Sequence, residues 1–517
     1  MQGVKITELA SLPILAGLLF VLIVFGQRAG TQLPSPLTAP SIKSADLQVD
    51  AEVLREAFEQ LHPGLYRYNS KSEMDAKFEA LQRDLSHDQS QQDAYVAFSV
   101  FAAQVKCGHT YPNFFNQEKT IAAALFQGHN RVPFYFRWLD QRMVVTNDFT
   151  PDRRLPRGTE VFSINGTPVQ AILDRLMIVA RADGSNNAKR IAYLEVTGDS
   201  IYEAFDVYFP MFFPQRSTAL LLIARRPGEM KPMILNVEAL TYEQRISPIK
   251  AREAGRKGGN EVLFEWKYSS DGTAYLRMPT WAVYDSKWDW KSWLNSKLDE
   301  LAGKNAPALV VDLRGNEGGN DVGNEILKRL VGRDLRTSAY RRLVRYRLTP
   351  AELNPYLDTW DPSFKNWGAA AVELQQAWPT SPPVHYFALT KFDDDSAGGD
   401  VIHPAGKPFH GKVHVLIDAS NSSATFQFAQ VVQQNKLGTL VGQPSGGNQR
   451  GINGGAFFFL RLPKSKIEMD LPLIGSFPAS PQTDAGLTPD VLVTPTLADI
   501  IEGKDAEMAR VAALQGK

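Results

Sequence analysis

Apolar positions along this chain follow three patterns, each confined to its own stretch. From about Asp50 to Lys106, the segments VDAEVLREAFEQLHP, KSEMDAKFEALQRDL and QQDAYVAFSVFAAQV place apolar side chains at helical spacing, and HPG breaks the first. This predicts a small helical domain over 46–125. Between about 131 and 250 the pattern becomes alternating, in runs such as VPFYFRWL and RMVVTND, so strands should dominate over 126–250. Within it, LPRGTEVFSINGTPV sets a turn closed by Gly158, a short strand from Val161 to Ile164, an Asn165-Gly166 turn and then a helix. From about 260 onward, strands alternate with helices: GTAYLRMP, WKSWLNSKLDELAG, ALVVDLR, DVGNEILKRLV, VHVLID, ATFQFAQVVQQ and GTLVGQP. That order predicts βα crossovers around a buried sheet, an α/β core over 255–510. Residues 332–411 break the alternation and read as an insertion able to cover a site. No internal repeat is found.

The N-terminus differs from the rest. From Leu9 to Gly26 no side chain is ionisable, and the run LPILAGLLFVLIVFG lies between Lys5 and Arg28. Residues 1–30 therefore read as a signal peptide or membrane anchor, intermediate in length between the two. No convincing small-x-small cleavage site follows, and no lipidation cysteine is present. The Pro-, Ser- and Thr-rich stretch 31–45 reads as a linker. The expectation is an exported protein, periplasmic or otherwise extracytoplasmic, with possible membrane attachment through residues 9–26.

Composition narrows the classes. The 517 residues are 44% hydrophobic, which suffices for one or more real cores and excludes disorder as the dominant state. Lys+Arg and Asp+Glu each number 56, so the basic excess typical of nucleic-acid binders is missing. The single cysteine, Cys107, allows neither an internal disulfide nor a thiolate zinc cluster. In FDDDSAGGD, the Asp393–Asp395 run lacks the twelfth-position Glu of a calcium loop and reads as a solvated loop. The basic run Arg341, Arg342, Arg345 and Arg347 either holds a substrate carboxylate or forms a solvated or salt-bridged face.

Two strand ends are candidates for chemistry because each runs into small residues and then a helix. After ALVVDLR, the turn Gly315-Asn316-Glu317-Gly318-Gly319 directs backbone amides out of a glycine-lined corner suited to an oxyanion. It lacks the Lys-Ser/Thr of a phosphate-binding loop. After VHVLID, Ser420, Ser422 and Ser423 stand at a helix entrance, where terminal amides stabilise negative charge; an ordinary serine N-cap fits the same pattern. His109, in Gly108-His109-Thr110, is the histidine placed in a tight glycine turn. It is either a helix-end cap or a general base near neutral pH.

These pieces together resemble the tail-specific, or C-terminal processing, serine peptidase family, in its tricorn-like branch. The matching segments are LHPGLYRY (61–68), KCGHT (106–110), LPRGTEVFSINGTPV (155–169), LVVDLRGNEGG (309–319), VHVLIDASNSSATFQFA (413–429), LVGQPSGG (440–447) and GLTPDVLVTPTLADIIEGKDAEM (486–508). They occur in the family's order. LPRGTEVFSINGTPV is similar to the closing half of a PDZ-type domain, whose groove receives an extended peptide.

The resemblance implies a ClpP/crotonase-like spiral core preceded by the helical domain and a PDZ-like domain. It implies Ser423 as nucleophile, with Ser422 the one-residue-slip alternative, and oxyanion donors from Ala424 and the Gly318-Gly319 turn. Better-known members use a lysine base in a segment where this chain carries Asn448, so the resemblance implies His109 as base, supported by an acid near the C-terminal motif, of which Asp484 is nearest. The implied function is a serine endopeptidase or C-terminal processing peptidase, acting on polypeptides through an acyl-enzyme without a cofactor or metal. The alternative is a non-catalytic peptide- or ligand-binding protein on the same fold, favoured by the missing lysine. A crotonase-like acyl-transfer enzyme is a further alternative, opposed by the helical and PDZ-like segments.

Overall fold

The computed structural model describes residues 41–255, 263–284, 286–337, 340–375, 384–390 and 401–516. The apolar run 9–26 and the acidic run 393–395 lie outside them. Among the described residues, no helix is long and apolar enough to cross a membrane.

Three N-terminal helices, Ser44–Leu61, Lys71–Asp84 and Gln91–Gln104, form where the helical periodicity places them. The first buries Leu47, Ala51, Leu54, Phe58 and Leu61, a stripe on one face. Its successors begin at Ser70, which forms a capping box with Glu73, and at Ser90, whose hydroxyl accepts from the Asp93 amide. The first helix ends at His62, which turns extended ahead of Pro63.

One residue on that apolar stripe is charged. Asp50 is fully buried and accepts the amides of Lys464 at 2.8 Å and Ser465 at 2.7 Å, which fastens the helical part to a distant hairpin turn. Burial holds its carboxyl above the usual range despite those bonds. Asp50→Ala leaves a buried amide unpartnered, so chemical denaturation should show a loss of about 1–3 kcal/mol.

The alternating segment forms an antiparallel sheet in the order Phe134–Leu139, Arg142–Asp148, Glu160–Ile164, Ala219–Arg225, Met233–Glu238, with Thr167–Pro168 paired to Glu160–Ile164. Asn165 and Gly166 both have positive φ, as an Asn-Gly hairpin turn requires, and the helix Val169–Leu176 follows. Its core is continuous with that of the N-terminal helices: Phe58, Phe98, Phe136, Phe205 and Phe458 belong to one apolar cluster.

The C-terminal part is built on a sheet ordered Val491–Leu492, Thr439–Gly442, Lys412–Ile417, Ala308–Asp312, Ala274–Arg277, Glu265–Tyr268, parallel except at its last pair. Both central strands are near-continuous apolar runs because both faces are covered. Leu309, Val311, Val415 and Ile417 pack with the helices Trp290–Gly303, Gly323–Leu330 and Ser423–Gln434. Val310 and Leu416, alternating with them, pack with Val511 of the last helix, Ala506–Leu514. The molecule is thus of mixed α/β class, with helices and several sheets.

The described parts of 332–411 are more integrated than an inserted cover. Tyr340–Val344, Leu357–Asp358, Ala371–Glu373 and Phe387–Leu389 join Asn453–Arg461 and Glu468–Pro478 in one antiparallel sheet. These short strands satisfy the edges of the long hairpin 453–478, which would otherwise present open backbone groups. Local sequence could not show this, because the pairing partners lie more than a hundred residues away.

Candidate active site

Ala308–Asp312 and Lys412–Ile417 are parallel neighbours, with Asp312 paired to Leu416. The turns that leave their carboxyl ends therefore lie side by side, at the edge where open α/β sheets bind ligands. Buried side chains staple the two turns together. Asn421, fully buried, donates to the carbonyls of Leu313 at 2.6 Å and Asn316 at 3.0 Å and accepts the Asp418 amide at 2.8 Å. The Thr425 hydroxyl donates to the Asn316 carbonyl at 3.0 Å, and Asp418 accepts the Gly315 amide at 2.9 Å.

The staple forces a tight exit into the helix Ser423–Gln434. Ser423 has φ +50°, a left-handed conformation that costs a non-glycine residue about 1–2 kcal/mol. Such strain at a strand-to-helix corner projects a side chain outward, and Ser423 lines a cavity of about 1930 Å³. Ser422 does not. It is buried, and its hydroxyl donates to the Glu317 carbonyl at 3.0 Å.

The glycine corner meets this serine directly. A Cβ on Gly318 would lie 2.8 Å from Ser423 Cβ and 3.0 Å from the Ala424 nitrogen. Gly318 is therefore required for space, and it differs from the sequence expectation in one respect. Its amide donates to Asn316 Oδ1 at 2.9 Å, so it is not aimed at an oxyanion. Gly319 and Ala424 line the cavity, and Ala424 is the second residue of its helix, where an N–H has no intrahelical acceptor.

His109 enters the same cavity from the turn after Gln91–Gln104. Lys106 takes φ +60°, and the Thr110 amide closes back onto the Cys107 carbonyl at 3.1 Å. The imidazole stands against Phe457, ring centroids 5.9 Å apart, where a bulge interrupts the pairing between Gly454 and Phe457. His109 and Ser423 line the same cavity, and among the described residues no hydrogen bond joins them, as is common in sites free of substrate. Burial holds its pKa below the usual 6.5; Asp183 and Glu317 oppose that shift, whereas Arg181 and Lys189 add to it.

Glu317 lies on the glycine turn, whereas Arg181, Asp183 and Lys189 come from a segment whose sequence carried no sign of the site. Arg181 donates to the Gly108 carbonyl and lies 3.3 Å from Glu317 Oε2. Lys189, only 3% exposed, binds Glu317 Oε1 and donates to the Ser420 carbonyl at 3.1 Å. Although the Glu317 side chain is nearly half exposed, desolvation where it meets the cavity wall would raise its carboxyl, but the Lys189 and Arg181 charges outweigh this and hold the pKa at about 2. A long separation with no periodic signature hides these residues from sequence reasoning. The only local hint was their density of charge around short helices.

Asp484 is held elsewhere. Its carboxylate accepts from the Ser185 amide and hydroxyl, each at 2.9 Å, and from Asn448 Nδ2 at 2.7 Å. It is not the partner of His109 that its sequence position suggested. Asn448, the residue that the resemblance sets against a lysine, is fully buried and also donates to the Asp183 carbonyl at 3.2 Å. Of the basic run, Arg342 lines the cavity. Arg345 and Arg347 instead donate to the carbonyls of Glu59 and Ala371. Among the described residues there is no cluster of metal-ligating side chains.

No curated protein matches the chain as a sequence. The fold is similar to that of mature CPAF complexed with lactacystin, at TM-score 0.60 and 16% identity, over 91% of this chain and 97% of that one. It is likewise similar to a serine-to-alanine mutant of CPAF, at TM-score 0.55 and 15% identity, over 89% and 94% of the two chains. At these identities the likeness establishes the fold. Residues 272–464, which carry both turns of the site, match the model of Peptidase family S41.

Proposed function

We propose that this chain is a serine peptidase that cleaves polypeptides through an acyl-enzyme, with Ser423 as nucleophile and His109 as general base. The observation that carries this reading is the left-handed Ser423 at a helix entrance, sharing one cavity with a partly buried imidazole and a glycine corner. His109 takes the hydroxyl proton as Oγ attacks the scissile carbonyl. The amides of Ala424 and Gly319 face the developing oxyanion. His109 then protonates the leaving amine, and water, deprotonated by the same ring, releases the acyl group. No step calls for a cofactor. Lys189 is a poor candidate for the base, because its ammonium is engaged by Glu317 and Ser420.

Two further elements belong to this proposal. The sheet 134–238, with its Asn-Gly turn and following helix, serves as a PDZ-like module that guides an extended substrate. The charge-free run 9–26 directs export and can attach the protein to a membrane.

A fluorophosphonate probe followed by mass spectrometry tests the chemistry. The adduct is expected on Ser423, absent in Ser423→Ala and present in Ser422→Ala. Silence of the wild type would favour the non-catalytic binder. Labelling that disappears only in Ser422→Ala would move the nucleophile by one residue.

The pH dependence follows from the partly buried imidazole. Only neutral His109 can accept the proton, and its pKa lies below the ordinary 6.5. The labelling rate should therefore be flat from about pH 7 upward and fall only as pH drops below the usual imidazole range. A midpoint above 7 would contradict the assignment.

A further inference from the structure

Two buried polar atoms near the nucleophile lack a protein partner among the described residues. One is Nδ1 of His109 and the other is Oδ2 of Asp183. Such orphans are uncommon in native interiors and call for an explanation. No hydrogen bond joins these two atoms here, but the segments that carry them are adjacent. The other Asp183 oxygen accepts the Gly108 amide at 2.9 Å, one residue before the histidine. A Cβ on Gly108 would stand 2.9 Å from Asp183 Oδ2. The Gly184 amide donates to the Lys106 carbonyl at 2.9 Å, so the 183–184 segment grips both sides of the histidine turn.

We propose that Asp183 is the carboxylate that orients His109, by accepting the proton on Nδ1 and leaving Nε2 for the Ser423 hydroxyl. Asp183 is a positioning residue, since it acts through the imidazole. This rests on the reading of Ser423 and His109 given above.

Three carboxylates compete for the role. Glu317 is nearly half exposed, and both its oxygens face cations, Lys189 and Arg181. Asp484 is occupied by Ser185 and Asn448 and reaches the histidine turn only through the backbone of the 183–185 segment. Asp183 is 1% exposed, forms no ion pair among the described residues, though the Arg190 charge acts on it, and acts on the ring more strongly than Glu317 does. Low local dielectric makes a buried charge count for more than a solvated one. Asp484 and Asn448 then act one step further out, by holding the 183–185 segment in place.

The test compares Asp183→Asn with Asp484→Asn in the full chain. Asparagine at 183 keeps an acceptor for the Gly108 amide but loses the charge. Hydrogen–deuterium exchange at the His109 imidazole carbon, read by mass spectrometry, follows its titration without requiring turnover. The groups facing this ring are Asp183, Glu317, Arg181 and Lys189, and only the first is altered. The His109 midpoint is expected about one pH unit lower in Asp183→Asn and unchanged in Asp484→Asn. The fluorophosphonate rate should fall about 10- to 100-fold in Asp183→Asn, less than loss of the base itself would cause.

An unchanged midpoint in Asp183→Asn overturns the proposal. So does a shift in Asp484→Asn alone. If the midpoint moves as expected while the wild type is not labelled at all, the Asp183–His109 pairing stands and the peptidase reading fails.

Discussion

Ser423→Ala is expected to lower peptide turnover by about 10⁴–10⁶-fold while leaving the protein folded, because on the proposed mechanism it removes the hydroxyl that forms the acyl-enzyme. Ser422 cannot substitute, since its Oγ is buried and donates to the Glu317 carbonyl. The strain at this position supplies a second, opposite readout. Ser423 is held at φ +50° by the Asn421 staple and the start of its helix. Alanine inherits that conformation, so its unfolding midpoint should match the wild type. Ser423→Gly should remove activity to the same extent yet stabilise the fold by about 1 kcal/mol, because glycine adopts the left-handed region without penalty. A glycine variant less stable than the alanine variant would show that the corner is not strained.

The second large effect is expected at Gly318. Its φ of +107° disfavours any side chain, and a Cβ would stand 2.8 Å from Ser423 Cβ, 2.9 Å from the Ser422 carbonyl and 3.0 Å from the Ala424 nitrogen. Gly318→Ala therefore crowds the nucleophile and the oxyanion-facing amide together. Acylation of the folded fraction should fall about 10²–10³-fold, the loss associated with disabling one oxyanion donor. Stability should fall by about 1–3 kcal/mol from the backbone conformation. Gly228→Ala is the control: its φ is +78°, but open space surrounds it, so it should lose stability without losing activity. Equal acylation rates in both variants would remove Gly318 from the site. Gly319→Ala is less useful, since its Cβ would collide with the Trp281 backbone and damage the corner itself.

Together these expectations describe one design. A buried polar staple of Asn316, Asp418, Asn421 and Thr425 fixes two strand ends relative to each other, and the serine is presented on the strained exit. The ion cluster of Lys189, Glu317 and Arg181 fastens the glycine corner to the segment that carries Asp183. Damage to the cluster should therefore affect rate as well as stability. The same contacts join the N-terminal half of the chain to its C-terminal core.

By itself, the sequence determined the elements and the candidate reactive positions. Helical periodicity located the segments between Ser44 and Gln104, alternation located the strands from Phe134 to Ile164, and apolar runs ending in glycine or serine marked the two corners. These are local signals, written within a dozen residues by the spacing of apolar side chains. The tertiary structure alone decided which groups meet. It separated Ser423 from Ser422, because a hydroxyl's direction depends on the strain the neighbouring turn imposes. It committed the Gly318 amide to Asn316 and gave Asp484 to Ser185 and Asn448, leaving Asp183 beside His109. It also paired strands of 340–389 with 453–478. Each of these outcomes is a contest among hydrogen-bond partners, and core packing decides which of them come within reach.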